Sequence, residues 1–102
     1  MNTFKVYVSD DAQSDLDRLY YTILLDFKAP FTAFKYLQGL KDVIRGLSKT
    51  AEIYKIETRR SLRKYGMNVR RVNYKKMTII YTVHSNLVYI HRIIPQNTIR
   101  EL

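Results

Sequence analysis

The chain has 102 residues with 18 Lys and Arg against 9 Asp and Glu, a formal net charge of +9, 46% hydrophobic residues and no cysteine. That length suits one domain spanning 1–102, and the apolar content is enough for a packed core rather than a disordered tail. Disulfides and thiolate zinc clusters are excluded, and neither a metal nor a cofactor is expected. The apolar runs at 20–25 and 77–83 fall far short of the roughly 20 residues that span a bilayer. The start, MNTFKVYVSDDA, has no apolar signal core, so a cytoplasmic protein with no membrane partner is expected.

In chain order, Phe4, Val6 and Val8 alternate with Lys5 and Tyr7, the period of a half-buried strand. Asp10 followed by Gln13 reads as a capping box. Ala12, Leu16, Leu19, Tyr20, Ile23, Leu24 and Phe27 then recur at helical spacing. Pro30 suits the first turn of a second helix, which carries Ala33, Leu37, Leu40, Ile44 and Leu47 on one face. So short a connection predicts an antiparallel helical hairpin. Residues 49–66 lose the pattern and read as a basic loop or a single helical turn. Three β-rich runs follow, at 68–73, Met77–His84 and Leu87–Pro95.

Two-residue turns at Lys75-Lys76 and Ser85-Asn86 would sort the side chains. On one face Thr82 would meet Tyr89, Ile80 would meet His91 and Thr78 would meet Ile93, with Arg71 in line with Ile80. The other face would carry Ile79, Tyr81, Val88, Ile90, Arg92 and Ile94 and lie against the helices. An arginine there requires a partner, for which Asp11 or Asp15 is available. The fold expected is α+β, in the order β-α-α-β-β-β, with the hairpin on one face of a mostly antiparallel sheet.

Charge is divided unevenly along this order. Residues 1–48 hold six cations and six acids, whereas 49–102 hold twelve cations and three acids. The second half therefore suits a polyanion or an acidic partner, against the plainer reading of a solvated face. The residues singled out for target or partner binding are Arg59, Arg60, Arg63, Lys64, Arg71, Tyr74, Lys75, Lys76 and Tyr89. His84 and His91 lack a nearby carboxylate cluster, which argues against a metal site.

The element order, the acidic helix start SDDAQSDLDRLYYTI and above all VRRVNYKKMTIIYTVHSNLVYIHRIIP resemble the RelE/ParE superfamily of bacterial type II toxins over essentially the whole chain. The resemblance implies a small basic toxin held by a cognate acidic antitoxin. RelE-like members cleave messenger RNA in the ribosome, whereas ParE-like members inhibit DNA gyrase. A ribonuclease needs a proton acceptor, cations around the phosphate and a donor to the leaving oxygen. Arg71, Tyr89 and His91 are the candidates here. Yet Thr78 stands where such nucleases have a strand arginine, and the tail QNTIREL supplies neither Tyr nor His. The resemblance thus points to a ParE-like inhibitor of DNA gyrase. The alternatives are a RelE-like endoribonuclease acting on ribosome-bound mRNA and a non-toxic basic domain that binds nucleic acid. Self-association as a homo-oligomer stays open.

Overall fold

The computed structural model describes residues 3–100. It contains strand β1 (Lys5–Val8), helices α1 (Asp10–Phe27) and α2 (Pro30–Thr50), a 3₁₀ helix (Arg60–Tyr65), strands β2 (Arg70–Tyr74), β3 (Met77–His84) and β4 (Leu87–Pro95), and a short helix α3 (Gln96–Arg100). The sheet order is β1-β4-β3-β2, with β1 parallel to β4 and the other two pairings antiparallel. The α+β hairpin-on-sheet expectation holds, and α3 is an element the sequence pattern did not show. Of the residues read as helical or terminal, the Phe27 side chain and Glu101 and Leu102 lie outside the described set.

The cap of α1 is Ser9 rather than Asp10. Its Oγ accepts from the Ala12 N–H at 3.0 Å, and its hydroxyl donates to the His91 carbonyl at 3.0 Å. One serine thus satisfies a free helix-end donor and fixes α1 to β4. Pro30 occupies the first turn of α2 as expected, and Lys28 makes the connection in the left-handed region. Leu16, Leu37, Leu40, Ile44 and Leu47 from the hairpin pack on Ile79, Tyr81, Val88, Ile90 and Ile93 in one core. Tyr81, fully buried, donates its hydroxyl to the Ala51 carbonyl at 2.6 Å, and burial raises the phenol pKa. That bond ties the end of α2 to the middle of β3.

Both two-residue turns form, and β2 pairs with β3 in the expected register. The β3–β4 register departs from expectation beyond Tyr81. A bulge at His91 leaves Ile80 opposite Arg92 and Thr78 opposite Ile94, not His91 and Ile93. An inserted residue exchanges the faces of everything after it. Ile93 therefore joins the helix-side core, while Ile94 turns to the other face. That second face is not open in its middle. Leu62 of the 3₁₀ helix, Val69, Ile80, Ile94 and Ile99 of α3 form a second small core there.

Arg92 finds its partner at the edge of β4. Because β1 ends at Val8, the outer edge of β4 beyond Ile90 is met by the first turns of α1 instead. Asp15, 7% exposed, accepts from Arg92 Nε at 2.7 Å, Arg92 Nη2 at 2.9 Å and the Ile93 N–H at 2.9 Å. A two-pronged guanidinium–carboxylate pair of this kind is directional as well as strong.

Candidate functional site

The sheet face away from the helical hairpin carries two clusters, one at each end of the small core. At the end near the β2–β3 turn lies a cleft of about 580 Å³, walled by Arg59, Arg71, Asn73, Lys76, Gln96 and Asn97 among others. Arg71 reaches it because β2 places Arg71 and Asn73 on this face. Its guanidinium stands 3.4 Å from Glu57, whose side chain is only 10% exposed. The Gln96 amide donates to the Lys75 and Met77 carbonyls, holding α3 against the turn. Arg59 and Lys76 are exposed and leave their charges to the cleft.

At the other end, rings form a row across the strands. Tyr7 stacks on Tyr89 with centroids 5.3 Å apart, Tyr89 lies 4.7 Å from His91, and His91 lies 5.5 Å from Tyr65. Beneath them Thr82 Oγ1, fully buried, sits 2.7 Å from both His84 Nε2 and His91 Nε2. One hydroxyl can donate to one imidazole and accept from the other, so the two rings take opposite roles at Nε2. Burial, reinforced by the positive charge His84 would carry, lowers the pKa of His91 below its ordinary value.

The residues singled out from sequence divide between several places. Arg59, Arg71, Lys75 and Lys76 line the cleft, although the Lys75 ammonium stands over the Tyr36 and Tyr74 rings on the helix side. Tyr74 lies across α2 at Gly39, where a Cβ would overlap its hydroxyl, and meets Tyr36 edge-on at 5.5 Å. Arg60, Arg63 and Lys64 project from the 3₁₀ helix, with Lys64 over the Tyr65 ring. Gly66, at φ 121°, ends that helix in a conformation that favours glycine. Tyr89 and His91 are in contact, but Arg71 lies two strands away, about 10 Å by strand spacing, on the far side of the small core. The nuclease trio of Arg71, Tyr89 and His91 is thus two rings in contact and an arginine turned to Glu57. Thr78 is fully buried, and its Oγ1 has no hydrogen-bond partner among the described residues, so it offers the cleft nothing. Tyr7 and Glu57 were not assigned to this face from sequence. Tyr7 reaches the row only through the parallel β1–β4 pairing, and Glu57 through a chain reversal fixed by its N–H bond to the Val69 carbonyl.

Among the described residues no helix is long and apolar enough to cross a membrane, and no group of three or more potential ligands could hold a metal. The helical hairpin on a four-stranded sheet with a basic outer face places the chain in the RelE/ParE class of folds. The family model for the ParE toxin of the type II toxin–antitoxin system parDE matches residues 6–100, and the chain belongs to that family. It is thus the toxin half of a pair whose partner is an antitoxin. The fold is similar to a solved structure described as the chromosomal ParDE TA system from P. aeruginosa, with a TM-score of 0.75 and 18% identity over 91% of this chain and 96% of that one. A sequence search of curated proteins finds no match.

Proposed function

We propose that this toxin inhibits DNA gyrase, as ParE-like members do, and that it does so by binding rather than by cutting RNA. The observation that carries the reading is the separation of the nuclease candidates. Arg71 is engaged by Glu57 in one cluster, and His91 is held by Thr82 in the other. A cation that stabilises the phosphate must reach the same phosphodiester as the proton carriers, and here Arg71 is turned to Glu57 instead. The buried Thr78 in place of a strand arginine supports the same reading.

A binding surface spreads its energy over several side chains. Arg71→Ala and His91→Ala should therefore each lower toxicity by degrees, whereas loss of a phosphate clamp or proton carrier in a nuclease lowers the rate by about a hundredfold or more. Expression without antitoxin should produce filamented cells with DNA damage while translation continues. Arrest of translation within minutes, with cut messages, would assign the chain to the ribosome instead.

The antitoxin, in this reading, lays an acidic, amphipathic segment across the helical hairpin and toward the cations of 49–102. The hairpin exposes large apolar groups able to anchor it, Leu25 at 67%, Phe31 at 72% and Phe34 at 62%, and such a segment folds as it binds. Substituting Arg59, Arg60 and Arg63 together should weaken the complex measurably by calorimetry.

A further inference from the structure

The outer sheet face combines a basic cleft with a row of aromatic rings. One end is a cleft whose free charges are all positive, Arg59 and Lys76 beside the amides of Asn73 and Asn97. The other is a row of four rings, beginning with Tyr7, which is 48% exposed, and continuing through Tyr89 and His91 to Tyr65. Both are on the same side of the sheet because Asn73, Thr78, Thr82 and Tyr89 are linked by direct cross-strand pairing. Thr82 lies four positions beyond Thr78 along β3, about 13 Å at the rise of a strand. The ridge between them is the 3₁₀ helix, whose exposed residues are Arg60, Arg63 and Lys64.

We propose that this face binds single-stranded nucleic acid, its phosphates following the cations from the cleft along the 3₁₀ helix and its bases stacking on the Tyr7–Tyr89 end of the ring row. An electropositive track beside stacking rings is the arrangement that holds single strands without reading their sequence. The Thr82 bonds fix the His84 and His91 rings, so the platform is ordered before a base arrives. The Glu57–Arg71 pair leaves Arg59 and Lys76 as the principal phosphate contacts of the cleft. The inference goes beyond the gyrase reading and does not depend on it, because oligonucleotide binding is measured with gyrase absent.

The test is fluorescence anisotropy of the full chain with fluorescein-labelled oligo(dT) and oligo(rU) of about 12 nucleotides, titrated across about 50 to 200 mM salt. Binding should weaken with salt, and Arg59→Gln combined with Lys76→Gln should reduce the log–log slope by about 1.4, near 0.7 for each lost phosphate contact. Tyr7→Ser, on an exposed edge-strand side chain, should weaken binding about fivefold or more while the circular dichroism melt stays as in the unsubstituted chain. Tyr7→Phe, which keeps the ring, should restore it. Tighter binding of one oligonucleotide identifies DNA or RNA as the source of the strand, and either supports the proposal. Polyglutamate of equal charge bound as tightly as oligo(dT), or a salt slope unmoved by the Arg59 and Lys76 substitutions, overturns it.

Discussion

Replacing Arg92 with alanine tests the joint between α1 and the edge of β4. Asp15 is 7% exposed and accepts three hydrogen bonds, two of them from Arg92. The substitution removes those two and leaves a buried carboxylate with only the Ile93 N–H. Breaking a fully buried ion pair costs about 3–5 kcal/mol. One third of the Arg92 side chain already meets solvent, so water can follow the alanine in, and solvent screening reduces the figure to about 2–3 kcal/mol. For a chain of this size that is a fall in melting temperature of about 10–20 °C. Thermal unfolding followed by circular dichroism at neutral pH measures it directly. Arg92→Lys, which keeps charge but not the fork, should fall between. In the Asp15→Ala, Arg92→Ala double variant the losses should be smaller than their sum, because removing the carboxylate removes the orphaned charge. A single Arg92→Ala variant that melts like the unsubstituted chain yet loses toxicity would refute this reasoning and make Arg92 a contact residue for the target.

Three other outcomes follow from the buried polar groups. Thr78→Val exchanges a buried, unpartnered hydroxyl for a methyl of similar shape and should stabilise the fold by about 1–2 kcal/mol; a lower melting temperature would mean that the hydroxyl has a partner. Tyr81→Phe leaves the Ala51 carbonyl without its donor and should cost about 1–3 kcal/mol, seen as a lower urea midpoint with the m-value unchanged. His91 binds a proton less readily in the folded chain than in the unfolded one. Its contribution is therefore fully present above its ordinary pKa of 6.5 and is lost as pH falls below that value toward the lowered one. The slope cannot exceed about 1.4 kcal/mol per pH unit for one proton, and His91→Gln should flatten that part of the stability curve. A profile that His91→Gln leaves unchanged would count against the burial of the imidazole.

The sequence made the outline legible wherever periodicity and turn geometry act locally. The helical stripes, Pro30 at the start of α2 and both two-residue turns follow from spacing. Asp15 is the expected partner of Arg92, but the bulge sets Arg92 opposite Ile80 and so off the helix-side face that the unbroken register gave it. The bulge at His91 has no such signal. It lies where β4 meets the start of α1, with Ser9 on the His91 carbonyl and Asp15 on the Ile93 N–H, contacts separated by more than seventy positions. Missing it exchanges Ile93 with Ile94 and hides the small core beneath the 3₁₀ helix and α3. The candidate site was legible as a set of cations and tyrosines but not as two clusters. Its division depends on Leu62 and Ile99 joining Ile80 in one buried cluster, and no local pattern announces that packing. Helix α3 was missed for a similar reason, since five residues form a helix only when Gln96 and Ile99 are held from outside.

The choice of target rests most directly on the purified chain added to DNA gyrase, relaxed plasmid and ATP. Inhibition of supercoiling, with messenger RNA left intact on programmed ribosomes at the same toxin concentration, is the predicted result. Unimpaired supercoiling together with A-site cleavage that Arg71→Ala or His91→Ala abolishes would contradict the account.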